Sequence, residues 1–174
     1  ANPLTRLAAI VETCQPSVIL TDAITSPNAN SLSAANALTL NVSTVPAYAS
    51  AIVPDLSQGA QAAVIIYTSG STGTPKGITV KHEGLRNYIE GSIRMYGMET
   101  PQTTLQQSAL SFDISLEQIF TGLATGGSVF MCPLNQRGDP LEITKVMRDE
   151  HITYSQATPS EYLMWLQYGM STLR

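Results

Sequence analysis

Apolar residues recur on two different periods along this chain. Leu4, Leu7, Ala8, Val11 and Cys14 follow the three-and-four spacing of one helix face, which predicts a helix from Pro3 to Cys14. Ser17–Thr21 and Leu38–Val42 are short apolar runs without that spacing, and each predicts a strand. Asp22–Asn36 is rich in Ser, Asn, Ala and Thr and has little periodicity, so it predicts a surface loop. Pro46–Gln61 is a second weakly patterned connection, with two prolines.

Past Gln61 the two periods alternate. Strands are predicted at Ala62–Tyr67, Ile78–Lys81, Thr104–Ala109, Ser128–Cys132 and Ile152–Ala157. Helices are predicted at Glu83–Tyr96, Asp113–Thr125, Pro140–Glu150 and Ser160–Tyr168. In the first, Leu85, Tyr88, Ile89, Ile93 and Tyr96 form a stripe, and Gly97 fits its end. The second should turn Ile119, Phe120 and Leu123 inward before Gly126-Gly127 stops it. The third has an apolar face that includes Leu141, Ile143, Val146 and Met147. The last carries Tyr162, Leu163, Met164, Trp165, Leu166 and Tyr168, too many apolar residues for one buried stripe, and predicts self-association. Strand and helix in alternation imply an α/β fold: a mostly parallel sheet flanked by helices, in a doubly wound layer.

One stretch inside this pattern carries chemistry. Thr68–Gly77 holds three glycines, a proline, five hydroxyl side chains and one lysine in ten residues. Glycines let successive backbone N–H groups turn into one concavity, which binds anions. Thr68, Ser69, Ser71, Thr72 and Thr74 can add donors, and Lys76 adds a positive charge, so a polyphosphate is the natural guest. The plainer alternative is a flexible Gly/Ser turn between two strands. Walker A is excluded, because Pro75 precedes Lys76, Gly77 replaces the required Ser or Thr, and a strand follows instead of a helix.

Composition narrows the classes. The 174 residues suit one domain, and only 13% are charged against 43% apolar. So little charge implies little free surface and a place in something larger. A net charge of −4 without a basic cluster argues against nucleic acid. Cys14 and Cys132 lie far apart, and His82 and His151 lack ligand spacing, so neither a disulfide scaffold nor a metal site is expected. Both cysteines read as buried thiols of a reducing, cytoplasmic compartment. No signal peptide is expected, and no apolar run reaches membrane length, so no membrane partner is expected.

Read whole, YTSGSTGTPKG at Tyr67–Gly77 resembles the phosphate-binding signature of the adenylate-forming enzymes. These are acyl-CoA synthetases, luciferases and the adenylation domains of nonribosomal peptide synthetases. The resemblance implies that Thr68, Ser69, Gly70, Ser71, Thr72, Gly73, Lys76 and Gly77 bind ATP, with Lys76 also catalytic. A second stretch, SFDISLEQIF at Ser111–Phe120, can be read as a helix capped by Asp113. Phe-Asp-x-Ser about 45 residues after the loop is also similar to the amino-acid-activating branch, where the aspartate binds the substrate's α-ammonium. A third stretch, ITYSQATPSEYLMW at Ile152–Trp165, resembles the same branch. Its wording looks most like adenylation domains of fungal polyketide–peptide hybrid synthases. Position by position, the resemblance implies an amino-acid pocket lined by Asp113, Ile114, Glu117 and Gln156. Glu117 can equally be a solvated helix residue, and Gln156 can sit under a neighbouring helix.

The resemblance further implies that the chain, 1–174, is a fragment of the large N-terminal part of an adenylate-forming domain. Stretches that would hold adenine, ribose and the main Mg²⁺ carboxylate are expected outside it, so the fragment alone is expected to be inactive. The implied reaction joins an amino acid to AMP at the expense of ATP with Mg²⁺, then passes the acyl group to a phosphopantetheine thiol. The implied partners are an amino acid, a carrier-protein domain and the rest of the synthetase. Two alternatives stay open: an acyl- or aryl-CoA ligase, and a non-catalytic interaction fragment.

Overall fold

The computed structural model describes residues 3–29, 31–32, 37–45, 54–68 and 75–169. The chain divides into two compact units, 1–58 with 67–79, and 59–66 with 80–174. Among the described residues the strands form three two-stranded sheets and not one continuous layer. Two of these are parallel pairs, as the α/β pattern requires.

The first unit holds α1 (Leu4–Cys14), β1 (Val18–Thr21), α2 (Ser26–Ala29) and β2 (Leu38–Asn41). β1 and β2 pair in parallel, with Val18 opposite Leu38. The short helix α2 interrupts the expected loop. Its cause is Asp22, whose carboxylate accepts from the N–H groups of Ile24 and Thr25 and starts a turn that α2 continues. Cys14 is half-buried, not buried as expected, because no residue of α1 is fully covered among the described residues. Arg6 on α1 donates to the carbonyl of Tyr67 at 3.3 Å.

β3 (Ala62–Thr68) and β4 (Lys76–Lys81) form the second sheet. β4 starts two residues earlier than its apolar run predicts, so Lys76 and Gly77 belong to a strand. Strand pairing extends past the hydrophobic stretch because backbone groups, not side chains, make the ladder.

The second unit holds α3 (His82–Met95), β5 (Thr103–Gln106), α4 (Ile114–Ala124), β6 (Ser128–Met131), α5 (Pro140–Asp149) and α6 (Pro159–Met164). Its core is Leu105, Cys132, Ile143, Val146 and Trp165, with Phe130, Met147, Ile152 and Ala157 packed against it. α5 buries Ile143 and Val146 as its spacing predicts, but Leu141 stays half-exposed. Asp139 caps this helix by accepting from the N–H groups of Leu141 and Glu142.

α4 departs from expectation. It buries Ser115, Glu117, Gln118, Thr121 and Gly122, while Phe120 and Leu123 are 39% and 56% exposed. The reason is close approach. A Cβ on Gly122 would lie 2.6 Å from the Ser128 carbonyl oxygen and the Thr104 hydroxyl, so the helix meets β5 and β6 along its smallest residues. That contact fixes the rotation of α4 and carries its apolar residues outward.

Two expected strands are also shortened. β5 ends at Gln106 and not Ala109, because the next two N–H groups, of Gln107 and Ser108, donate to Gln118 Oε1 at 3.1 and 3.0 Å. Ile152–Ala157 makes only one parallel bridge, Tyr154 to Thr104. Two residues on, the Gln156 carbonyl accepts from Gln118 Nε2 at 2.7 Å instead of from a neighbouring strand. One buried side chain thus replaces two stretches of ladder.

The last helix is shorter than expected and passes at Trp165 into a wider turn ending at Gly169. Thr158 and Glu161 close a reciprocal capping box at its start. Trp165 is buried, whereas Tyr162, Leu163, Met164, Leu166 and Tyr168 are exposed, matching the apolar excess read in the sequence.

Candidate functional site

The phosphate stretch is described only at its two ends. Thr68 closes β3, and Lys76 and Gly77 open β4, all three exposed. Ser69, Gly70, Ser71, Thr72 and Gly73, assigned to the loop from sequence, lie outside the described residues.

The second unit holds a cavity of about 490 Å³. Asp113, Ile114, Glu117 and Gln156 all line it, alongside Tyr88 of α3 and the Thr158-Pro159 start of α6. Four positions singled out along 44 residues of sequence therefore meet in one place. α4 explains half of this, since Asp113 and Glu117 are four residues apart and fall on one face about a turn apart. Gln118 explains the other half, because its amide holds the Gln156 backbone against α4.

Asp113 is exposed at the start of α4, and its Oδ1 accepts the Ile114 N–H at 2.9 Å. The capping contact and the place in the cavity wall occur together, so the two readings of this residue are not exclusive.

Glu117 is 2% exposed, which removes the alternative of a solvated helix residue. Its Oε1 accepts from the Tyr154 hydroxyl at 2.5 Å, and its Oε2 from the Tyr88 hydroxyl. The hydrogen bond to Glu117, aided by burial, raises the Tyr88 phenol above its ordinary range. Burial first, then Glu117, pushes the Tyr154 phenol up strongly. Both phenols therefore stay protonated and donate.

Gln156 is half-buried, and its Oε1 has no hydrogen-bond partner among the described residues. Among the described residues, no Lys, Arg or His lines the cavity. The lining carries the carboxylates of Asp113 and Glu117, about a turn apart on α4, and the Gln156 amide. Such a surface suits a cationic or hydrogen-donating guest.

Sequence reasoning missed Tyr88, Tyr154 and Gln118 as parts of this site. Tyr88 was legible only as one member of a helix stripe. Tyr154 and Gln118 carried no local signal, because their partners lie 37 and 38 residues away.

The profile of the AMP-binding enzymes matches residues 1–173. The chain belongs to the AMP-binding enzyme family. It is similar to the hybrid PKS-NRPS synthetase thnA of Trichoderma harzianum, with 49% identity over 99% of this chain. It is also similar to the hybrid PKS-NRPS synthetase traA of Penicillium crustosum, at 45% over 99%. The chain spans about 4% of the length of each. Among solved structures it superposes on the nonribosomal peptide synthetase FmoA3 in its AMPPNP-bound form with a TM-score of 0.83 and 27% identity, covering 98% of this chain and 18% of that one. The fold of this AMP-binding chain is thus the α/β fold of the N-terminal part of adenylate-forming domains.

Among the described residues, no helix is long and apolar enough to cross a membrane, and no three His, Cys, Asp or Glu side chains are placed to hold a metal ion.

Proposed function

We propose that the chain is part of an adenylation domain that activates an amino acid within a hybrid polyketide–peptide synthetase. The observation that carries this reading is the meeting of Asp113, Ile114, Glu117 and Gln156 in one cavity that no described Lys, Arg or His lines. In the proposed reaction, the amino-acid carboxylate attacks the α-phosphorus of ATP, pyrophosphate leaves, and aminoacyl-AMP forms. A carrier-domain phosphopantetheine thiol then takes the acyl group and releases AMP. Asp113 pairs with the α-ammonium and fixes the nucleophile's far end, which is catalysis by positioning. Thr68, Gly77 and the stretch between them hold the β- and γ-phosphates, and Lys76 neutralises charge on the leaving group. Mg²⁺, when bound, would neutralise charge at the phosphates. Free Cys14 and Cys132 support a cytoplasmic setting. The exposed apolar side chains of α6 support contact with another part of the synthetase or with a second copy.

The test is amino-acid-dependent pyrophosphate exchange by the full-length protein, with each amino acid set against its des-amino analogue. A charge-assisted hydrogen bond contributes roughly 1.5–3 kcal/mol, so Asp113→Asn should lose about one to two decades of that selectivity. The KM for ATP should barely move. Equal selectivity in both proteins would leave Asp113 as a helix cap alone, since Asn caps as well as Asp.

A further inference from the structure

We propose that α1 is the support of the phosphate stretch, with Arg6, assisted by Cys14, as the positioning residue that holds Tyr67 and so sets the strands between which ATP's phosphates are bound. This rests on the phosphate reading of Thr68–Gly77 above and extends it to a helix far upstream in the chain.

Arg6 precedes Tyr67 by 61 residues, and its guanidinium donates to the Tyr67 carbonyl at 3.3 Å. Tyr67 is the last residue but one of β3 and stands immediately before Thr68, where the phosphate stretch begins. Arg6 is half-buried and makes no ion pair among the described residues. A cationic donor holds a carbonyl oxygen more strongly than a neutral one does. Here no carboxylate competes for it. A tie that only docked α1 could be made to any residue of β3. This one is made where the strand hands over to the stretch that carries the chemistry.

Tyr67 is held at its other end by the same helix. Burial first, and then Cys14, raises the Tyr67 phenol above its ordinary range, so the phenol stays protonated beside that thiol. Cys14 closes α1, about two turns and roughly 12 Å along the helix from Arg6. One contact on the main chain and one on the ring, both from one helix, leave Tyr67 little room to slide or turn. β3 is hydrogen-bonded to β4, the strand that opens with Lys76 and Gly77. Holding Tyr67 therefore holds Thr68 and the strand that carries Lys76.

Arg6, Cys14, Tyr67, Thr68, Lys76 and Gly77 all belong to the first unit, whereas every residue lining the cavity with Asp113 and Gln156 belongs to the second. Loss of the tie should therefore be felt by ATP and not by the amino acid. A tie that served stability alone would leave both Michaelis constants unchanged in the folded protein.

The experiment uses the full-length protein and pyrophosphate exchange with the amino acid that gives the fastest exchange, and reads the KM for ATP and for the amino acid separately. A charge-assisted hydrogen bond half-open to solvent predicts that Arg6→Gln raises the KM for ATP by about five- to tenfold. The KM for the amino acid should stay within about twofold, the range of a distant, uncoupled site. Arg6→Lys should restore the KM for ATP, because a single nitrogen makes the contact and a lysine can supply it. Cys14→Ala removes a weaker, neutral contact and should raise the KM for ATP by about twofold. A folded Arg6→Gln protein with the wild-type KM for ATP overturns the inference. So does a parallel rise in both constants, or a Lys variant as impaired as the Gln variant. Should Arg6→Gln fail to fold, Cys14→Ala decides, and an unchanged KM for ATP there overturns the inference. Lys76→Ala separates this inference from the reading beneath it. If that variant raises the KM for ATP and Arg6→Gln does not, the support by α1 falls and the phosphate reading stands; if neither raises it, both fall.

Discussion

Helix α5 turns Ile143 and Val146 into the core and leaves its charged residues outside. Helix α4, one residue longer, buries Glu117, Gln118 and Thr121 and leaves Phe120 and Leu123 largely uncovered. Both helices belong to the same unit, and α4 packs on both strands of the β5–β6 sheet. The difference lies in what each helix is held by. Burying aliphatic surface holds α5, together with the close fit of Thr144 against Gly169. A set of directed contacts holds α4: the Gly122 approach, the Gln118 amide and the Glu117 carboxylate. Directed contacts fix rotation and height in a way apolar burial does not, and rotation of α4 is what points Asp113 and Glu117 into one cavity. A helix that lines a cavity can thus give up ordinary amphipathic order for precision.

The strongest way to test the α5 side of this contrast is to remove its central residue. Ile143 is fully buried among Leu105, Cys132, Val146 and Trp165. Ile143→Ala should destabilise the protein by about 2–5 kcal/mol, the transfer loss plus the cavity left behind. Denaturant unfolding reads this directly. A cost under about 1 kcal/mol would mean that the core collapses around the gap and that α5 is held by something else.

The α4 side is tested at Gln118. Gln118→Met keeps the volume and removes the amide. The N–H groups of Gln107 and Ser108 lose their acceptor, and the Gln156 carbonyl loses its donor. An unsatisfied buried group costs roughly 1–3 kcal/mol, so a loss of about 2–3 kcal/mol is expected after partial relaxation. The signature separating this from core damage is functional. The KM for the amino acid should rise through a displaced Gln156, with the KM for ATP unchanged. A variant of normal amino-acid affinity would remove Gln118 from the positioning of the site.

The same contrast explains what could be read in advance. The helix at Pro140–Asp149 was legible because its information is a local period, and every element of the second unit except Ile152–Ala157 was legible for that reason. Family resemblance reached Asp113, Ile114, Glu117 and Gln156 because contiguous motifs carry them. The rotation of α4 was not legible, since Ile119, Phe120 and Leu123 supply a convincing apolar period and the contacts that overrule it are long-range. Gly122 reads as a flaw in a helix until Ser128 and Thr104 are seen beside it. Tyr88 and Tyr154 reach Glu117 from 29 and 37 residues away, and no short window contains such a pairing. The strand ends at Gln106 and Tyr154 were lost for one reason, because a side chain took over the backbone's hydrogen bonds.

The smallest expected effect sharpens the comparison most. Leu123 is 56% exposed, so its replacement removes little buried surface. Leu123→Ser also lowers helix propensity slightly, by a few tenths of a kcal/mol. Together these predict a destabilisation within about 0.5 kcal/mol, the range of ordinary surface changes. Leucine at a buried helix position would instead lose more than about 2 kcal/mol on truncation. The two values are far enough apart for a shift in denaturation midpoint to separate them. A small shift means that α4 is held by its polar face alone. A shift above about 1 kcal/mol would show that Leu123 is covered in the protein in solution. Its rotation would then be set from both sides, and the apolar period in the sequence would have reported a real contact.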